Sequence, residues 1–168
     1  SEILNKLNSQ IILCKRNKGL WSVQHIHEII LYRNKQINFK DLNEGIPIMC
    51  TKNNPDLGLS NGDIGVLIGK SKERRFLFKI FDKYNQPLIR LINPSRIDNV
   101  IPAIAITIHK SQGSEAKKIC LLWEKSSNTT KSSSINSTNE NSLFNNDLER
   151  RLLYTAITRA KNNLDFYY

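Results

Sequence analysis

The alternation of apolar and polar residues changes character twice along the chain, near residues 45 and 99. The first and last parts, 1–44 and 99–168, combine short continuous apolar strands with amphipathic helices, as in a parallel sheet covered by helices. The middle part, 45–98, has short β-rich runs separated by turn signals, and these are IPIMC, DIGVLIG, RFLFKIF and PLIRLI. The pattern predicts an α/β domain interrupted by a small barrel or curled sheet.

A helix is expected in the first part, from about Val23 to Tyr32, after the apolar strand QIILC at residues 10–14. Ser22 stands where an N-cap hydroxyl is favoured. The residues expected to bury against the sheet repeat at helical spacing, and they are Ile26, Ile29 and Ile30.

The last part predicts two apolar strands, at residues 101–108 and 119–123, with the first of them central in the sheet. Segment 126–147 is rich in Ser, Asn and Thr and too poor in large apolar residues to offset its ordering entropy, so it is predicted to be a mobile insertion. A helix, DLERRLLYTAITRAK, follows, and Asn162-Asn163 is expected to end it before a final strand, LDFYY. This order of elements is typical of a parallel sheet with helical cover.

The charge of the chain points to an anionic partner. It has 25 Lys and Arg against 15 Asp and Glu, a formal net charge of +10, and the basic residues form separate clusters that folding could assemble into a phosphate-lined track. A generic basic surface fits the same charge. The three cysteines lie in apolar runs without metal-type spacing, which favours buried thiols in a reducing cytosol and no metal site. No apolar run is long enough to span a bilayer.

The densest polar run is AITIHKSQGSE, which follows directly from an apolar strand. A loop at the carboxyl end of a strand in an open α/β sheet faces the usual ligand crevice. Thr107 and His109 are expected to alternate onto one face there and donate to phosphate oxygens, and Lys110 adds charge. Gly113 permits a tight turn, and Glu115 can accept from a ribose hydroxyl or a metal-bound water. An ordinary solvated turn explains any one of these residues, but not so dense a run.

AITIHKSQGSE resembles motif V of superfamily 1 helicases, and YTAITRAK at residues 154–161 resembles their motif VI. Segment 51–69 is similar to the one that precedes motif V in the RecD-type branch, which includes the alpha subunit of exodeoxyribonuclease V. The tripeptides GSE and TRA within the two motifs are RecD-like, whereas Pif1-like and relaxase-type helicases usually differ there. The resemblance covers most of the chain from residue 45 onward. It implies an SH3-like barrel, domain 2B at 45–98, inserted into a RecA-like domain 2A.

The resemblance implies that some residues contact ATP. Arg159 matches the motif VI arginine that reaches the γ-phosphate across the cleft between two RecA-like domains, and its permanent charge suits that role. A helix-end arginine bonded to local carbonyls is the plain alternative. Gly113 and Glu115 match motif V positions that contact the nucleotide, and Gln112, which suits either ligand, is assigned to it as well. For motif IV the family spacing falls on the asparagine of the loop KRNKG, so its neighbour Arg16 is taken as the basic candidate.

Other residues are implied to contact single-stranded DNA. Thr107 and His109 match motif V positions that face the strand, and Lys110, which suits either ligand, is assigned to it. Asn61 in an Asn-Gly-Asp turn is a further candidate, although its role in the turn explains it fully.

Neither a Walker A sequence nor an acidic Walker B strand is present, so this chain is not expected to hydrolyse ATP unaided. The resemblance implies that ATP and Mg²⁺ bind only together with an N-terminal RecA-like domain of a longer protein. It also implies single-stranded DNA and other exodeoxyribonuclease V subunits as partners. The expected function is the C-terminal motor half of an ATP-dependent DNA helicase in cytoplasmic DNA repair and recombination. A stand-alone nucleic-acid-binding module is the alternative, and a protein-binding scaffold is a weaker third reading.

Overall fold

The computed structural model describes residues 6–7, 9–31, 42–82, 84–111, 114–124 and 140–168, and for 140–146 it describes the backbone alone. Within these ranges the strands are β1 (Gln10–Cys14), β2 (Pro47–Cys50), β3 (Ile64–Ile68), β4 (Arg75–Phe81), β5 (Pro87–Ile92), β6 (Val100–Pro102), β7 (Ala105–Thr107), β8 (Ala116–Leu122) and β9 (Ala160–Tyr167). Two helices, α1 (Val23–Leu31) and α2 (Glu140–Ile157), accompany them. No helix in this described part is long and apolar enough to cross a membrane.

The first sheet is parallel throughout, with its strands in the order β7-β1-β8-β9. Leu13 and Cys14, neighbours in β1, belong to two different cores because successive side chains of a strand point to opposite faces. The core on the Cys14 side includes Val23 and Ile26 of α1, and the core on the Leu13 side includes Ala156 of α2. A parallel sheet with a helix on each face is the predicted α/β class, which is therefore confirmed.

The apolar run at residues 101–108 is not the single central strand that its sequence predicts. β6 ends at Pro102 in the second sheet, and β7 begins at Ala105 as the outermost strand of the parallel sheet. The break is hidden in the sequence because Ile101 and Ile106, on either side of it, pack in one core shared by both sheets. A run that is apolar throughout gives no signal of where it changes sheets.

The second sheet is antiparallel, in the order β5-β4-β3-β2-β6, and lies in the sequence between α1 and β7. Its first four strands are the predicted β-rich runs, and β6 lies beyond the boundary expected at residue 98. Met49, Ile64 and Ile101 of this sheet pack in the same core as Leu13 of the parallel sheet. The two sheets therefore share a core. β5 and β6 are at the two ends of the strand order, and closure into a barrel stays a prediction.

Helix α1 ends at Leu31, one residue before the predicted end, and of the three isoleucines predicted to bury against the sheet only Ile26 does so. Ile29 and Ile30 are 64% and 48% exposed, whereas His27 is only 7% exposed. The stripe that fits the observed burial repeats every four residues, and it consists of Val23, His27 and Leu31. The apolar pattern missed this stripe because its middle member is polar.

Helix α2 begins at Glu140, inside the segment 126–147 that was predicted to be a mobile insertion, and it ends at Ile157 rather than near residue 161. Extending a helix that has already formed costs little free energy, so α2 continues into a polar sequence that would not start a helix alone. Residues 126–139 of the predicted insertion lie outside the described part of the chain.

The pair Asn162-Asn163 was expected to end the helix, but it lies inside β9. Between the paired residues Ala116–Ala160 and Lys118–Asn163, β8 advances by two residues and β9 by three. The additional residue makes a β-bulge, which an edge strand accommodates readily. The two asparagines therefore mark an irregular strand rather than a helix end.

An ion pair joins the end of β1 to α2. Lys15 Nζ contacts Glu149 Oε1, lies 4.9 Å from the centroid of the Trp123 ring, and reaches the carbonyl of Glu124 at 3.5 Å. The Lys15 side chain is only 9% exposed, whereas that of Glu149 is 37% exposed. An amine this deeply buried needs its partners, since a buried unpaired charge is costly.

Replacing Glu149 with glutamine is therefore expected to lower the free energy of unfolding by about 1–2 kcal/mol. The measurement is urea denaturation followed by circular dichroism. The matched control is Asp147→Asn, which breaks the Arg150–Asp147 pair, 3.8 Å long with side chains 81% and 67% exposed. That change is expected to cost less than about 0.5 kcal/mol. Equal losses of unfolding free energy in the two variants would contradict the view that the buried Lys15 amine needs Glu149 as its partner.

Candidate functional site

All strands of the first sheet run the same way, so the sheet has one carboxyl edge and one amino edge. The register aligns Cys14 with Thr107 and with Leu122, and these residues mark the carboxyl edge. Ala116 and Ala160 are paired at the amino edge. Six residue steps along β8 separate the edges, which corresponds to about 20 Å. The candidate site residues are divided between the two edges.

A braced turn follows β7 at the carboxyl edge. Residues His109–Ser111 form one turn of 3₁₀ helix, in which Thr107 Oγ1 accepts from the Lys110 N–H at 3.4 Å. The buried Ser111 Oγ donates to the Ile108 carbonyl at 2.7 Å. His109 and Lys110 are exposed, whereas Thr107 is 6% exposed. The prediction that Thr107 and His109 lie on one face of the strand is wrong. The strand ends at Thr107, and its alternation of side chains ends there too.

The loop between β1 and α1 lies at the same edge. The Val23 and Gln24 N–H groups donate to the carbonyls of Arg16 and Asn17, both at 3.1 Å. The predicted cap is confirmed, since Ser22 Oγ accepts from the His25 N–H at 3.1 Å. The first turn of α1 thus uses its N–H groups within the chain and is not left open for an anion.

Arg16 Nη1 lies 3.8 Å from Glu124 Oε2, with the Arg16 side chain 48% exposed. Because Cys14 is level with Thr107, Arg16 belongs with His109 and Lys110. The structure does not bring it together with Glu115, with which it shares the predicted assignment to the nucleotide.

At the amino edge, Glu115 precedes β8 and Lys161 is the second residue of β9. Lys161 Nζ lies 2.9 Å from Glu115 Oε2, and both side chains are more than half exposed. Hydrogen bonding and charge from Lys161, with a smaller contribution from Arg159, lower the pKa of the Glu115 carboxyl. Glu115 is therefore ionised at neutral pH and pairs with a lysine that the sequence reasoning did not single out. Lys161 lies inside the quoted motif, but a lysine after a helix is usually read as a cap.

Arg159 lies in the two-residue turn between α2 and β9, not inside the helix. Its carbonyl accepts from the Ala116 N–H at 3.0 Å, which anchors the turn to β8. Its Nε donates to the Thr155 carbonyl at 3.3 Å, and Nη2 lies 3.5 Å from Thr158 Oγ1. No carboxylate of the described residues lies within ion-pair distance of its guanidinium. The side chain is half-buried and held at its stem, and it stands beside Glu115.

The remaining predicted contacts are placed as follows. Gln112 and Gly113 lie outside the described residues. Asn61 is in the connection between β2 and β3, where its N–H donates to Asn53 Oδ1 at 2.8 Å in a turn whose next residue, Gly62, has φ +96°. This exposed asparagine is accounted for by the turn. Among the described residues no three His, Cys, Asp or Glu side chains group closely enough to hold a metal ion.

The two edges are connected by one segment. The chain leaves β7 at the carboxyl edge, after Thr107, and enters β8 at the amino edge, at Ala116. The two described ends of this segment therefore lie at opposite edges of the sheet, one at a basic turn and the other at the Glu115–Lys161 pair. The described residues thus offer two cationic surfaces, which suit phosphate oxygens, and no set of magnesium ligands.

No family model matches the chain, but curated relatives match nearly all of it. The RecBCD enzyme subunit RecD of Buchnera aphidicola subsp. Schizaphis graminum is 30% identical over 175 residues, which cover 99% of this chain and 26% of the relative. The RecD subunit of Haemophilus influenzae is 31% identical over 165 residues, which cover 98% of this chain and 19% of the relative. The chain spans about a quarter or less of the length of these relatives.

Solved structures share the fold. A crystal structure of Bacteroides Pif1 bound to ssDNA matches with a TM-score of 0.51 and 16% identity, over 96% of this chain and 41% of that chain. The Bacteroides Pif1 helicase in complex with ADP-AlF3 and ssDNA matches with a TM-score of 0.50 at the same identity and coverage. At this identity the likeness is one of fold, and that fold is RecA-like.

Proposed function

We propose that this chain, which belongs to the RecD-type family of superfamily 1 helicases, acts as one RecA-like half of an ATP-driven motor that moves along single-stranded DNA. The observation that carries the proposal is the placement of the motif residues. His109 and Lys110 lie at the carboxyl edge of the parallel sheet, Glu115 and Arg159 lie at the amino edge, and one segment joins them. A motor needs two ligand sites that sense each other, and the separation of these residues along one segment supports that arrangement.

The DNA side of the proposal rests on the carboxyl edge. His109 and Lys110 are exposed on a turn whose backbone is fixed by Thr107 and Ser111, so they are held out at a defined position. Arg16 stands level with them after β1 and adds a second cation. Cations on a rigid turn bind the phosphates of a single strand without reading its bases. Thr107 serves this side by fixing the turn rather than by reaching the DNA itself.

The nucleotide side rests on the amino edge. ATP bound with Mg²⁺ would supply a phosphoryl group whose transfer to water releases the free energy for movement. Arg159 would hold phosphate oxygens, since its stem is fixed by Thr155 and its guanidinium has no carboxylate partner within ion-pair distance among the described residues. Glu115 is already ionised and would accept from a sugar hydroxyl once Lys161 releases it. The phosphate-cradling loop and the magnesium ligands would come from a second RecA-like domain, because no Walker sequence occurs here.

Coupling follows from the segment between the two edges. A shift of Glu115 when the nucleotide binds would pull the chain that begins at the DNA-contacting turn. The segment from Ile108 to Glu115 is short, and it is anchored at its start by the bond from the Ile108 N–H to the Cys14 carbonyl at 3.1 Å. Nucleotide binding is therefore expected to change the grip on DNA rather than to leave it untouched.

The DNA assignment is tested with Lys110→Ala. Loss of one phosphate contact is expected to weaken binding of oligo(dT) by about 3- to 10-fold at low salt and to reduce the slope of log K against log salt by about 0.7. Fluorescence anisotropy of labelled oligo(dT) across a salt series measures both quantities. Lys117→Ala is the matched control, since this exposed lysine makes the same charge change near the amino edge. If the two variants weaken binding equally, the carboxyl edge is not the DNA site.

A further inference from the structure

The outer edge of β7 is held by a side chain. β7 is the outermost strand of the parallel sheet, with β1 as its only described neighbour, so some of its backbone groups point away from the sheet. The Ala105 N–H is one of them, and it donates to His27 Nε2 of α1 at 3.2 Å. Ala105 is fully buried, so water does not take the place of this acceptor. The imidazole supplies the hydrogen-bond acceptor that the carbonyl of a further strand would otherwise supply.

His27 is suited to this role by its surroundings. It lies in the stripe of α1 that faces the sheet and is 7% exposed. A ring nitrogen that accepts from an N–H carries no proton, so the imidazole is neutral with its proton on Nδ1. Burial keeps it neutral by lowering the pKa of His27, against a smaller opposing contribution from the Ala105 backbone. The side chain is thus committed to accepting a hydrogen bond from β7.

The strand that His27 holds is the one that carries the proposed DNA contacts. β7 is only three residues long, and Ala105 is its first residue. Two residues later Thr107 Oγ1 fixes the Lys110 N–H, and His109 and Lys110 project from the turn. With one neighbouring strand in the described part of the chain and so few ladder bonds, β7 depends on its second edge for a fixed position.

We propose that His27 is a positioning residue that closes the free edge of β7 by accepting the Ala105 N–H, and so holds the turn with His109 and Lys110 where it meets the phosphates of single-stranded DNA. The part that concerns DNA rests on the proposed function, whereas the edge closure stands on the geometry alone. His27 acts through the strand and does not itself touch the nucleic acid.

A pair of variants separates the acceptor from the bulk of the side chain. His27→Leu keeps a comparable apolar volume and removes the acceptor, whereas His27→Gln places an amide oxygen at a similar reach from the backbone. His25→Leu on the same helix is the control, because the His25 side chain is not the group that accepts from Ala105. In ¹⁵N-labelled protein, His27→Leu is expected to speed amide exchange at Ala105 by about tenfold or more, with His27→Gln and His25→Leu within about threefold of the parent.

Anisotropy with labelled oligo(dT) then tests the positioning. His27→Leu is expected to weaken binding about three- to tenfold and His27→Gln to restore it, an effect that general destabilisation of α1 does not produce. Unchanged exchange at Ala105 in His27→Leu overturns the edge closure. Faster exchange with unchanged DNA affinity overturns the positioning role. If the parent protein itself binds no oligo(dT), the proposed function fails, while the exchange result still decides the closure.

The parent protein offers a measurement that needs no variant to fold. Nitrogen chemical shifts of the His27 ring report which ring atom carries the proton. The expected result is an unprotonated Nε2 at neutral pH, with a hydrogen-bond coupling to the Ala105 amide. A proton on Nε2 would overturn the proposal, since that atom then cannot accept.

Discussion

Arg159→Ala, made in a protein that joins this chain to the proposed second RecA-like domain, is expected to lower kcat for DNA-stimulated ATP hydrolysis by about 10³-fold or more. Its affinity for single-stranded DNA is expected to change by less than about threefold. The reason is position: Arg159 lies at the amino edge, about 20 Å along the strands from the turn with Lys110. Steady-state turnover with saturating oligo(dT), and anisotropy with the same oligo(dT), measure the two quantities.

Two further variants define what the arginine contributes. Arg159→Lys keeps the charge but loses the planar fork, so most of the rate is still expected to be lost. Arg151→Ala removes an exposed arginine from α2, two turns earlier, and is expected to leave kcat unchanged. Only the backbone carbonyl of Arg151, which accepts from Thr155 Oγ1, has a described contact, and it survives the change.

The plain alternative for Arg159 makes a different prediction. Its Nε bond to the Thr155 carbonyl is what an arginine that caps a helix end would make. If capping were its whole role, Arg159→Ala would lower the melting temperature by a few degrees and leave turnover near that of the parent. A normal kcat in a folded Arg159→Ala protein would therefore remove this residue from the nucleotide site. It would also favour a stand-alone nucleic-acid-binding module over a motor.

The predictable part of the fold is the part where local pattern and tertiary environment agree. β1 has the predicted bounds, and Ser22 caps α1 as expected, because strand length and capping are decided by a few neighbouring residues. The division of residues 101–108 between two sheets could not be read, since burial on both sides of the break leaves an unbroken apolar run. Where tertiary packing alone decides which sheet a residue joins, the local sequence pattern does not predict it.

The candidate site shows the same limit. Motif spacing predicted which residues carry the chemistry, but the edge of the sheet on which each one lies depends on strand order and register. Arg16 was grouped with Glu115, and the parallel register separates them by the length of β8. The sequence pattern does not reveal His27, because a polar residue in a helical stripe looks like a gap in the apolar core pattern. Its partner, an edge N–H of Ala105, exists only once β7 is known to be outermost.

The second large effect is expected from Gly65→Ala in the antiparallel sheet. A Cβ built on Gly65 would lie 2.5 Å from the Leu77 carbonyl oxygen and 2.7 Å from the nearest Phe78 ring carbon. Backbone cannot move aside as a flexible side chain would, and Phe78 is fully buried. The free energy of unfolding is therefore expected to fall by about 3 kcal/mol or more, at the upper end for overpacking. Urea denaturation followed by far-ultraviolet circular dichroism measures the loss.

Gly45→Ala is the informative control. If backbone conformation alone set the loss of stability, the substitution at Gly45 would cost more than the one at Gly65. Gly45 has φ +89° and nothing within 4 Å of the place that a Cβ would take, whereas Gly65 has an ordinary φ and no room. Gly45→Ala is expected to cost about 1–2 kcal/mol of backbone strain. A larger loss at Gly45 than at Gly65 would mean that the strands relax around the added methyl group.

The Gly65 variant also tests whether the two sheets unfold together. Trp21 and Trp123 lie beside the parallel sheet, far in sequence from Gly65, so their fluorescence reports that sheet, while circular dichroism reports both. Met49, Ile64 and Ile101 place side chains of the antiparallel sheet in the core of the parallel one. Loss of β3, which contains both Ile64 and Gly65, removes part of that core, so both signals are expected to shift to lower urea by the same amount. A fluorescence midpoint that stays at the parent value would show that the shared core does not couple the sheets.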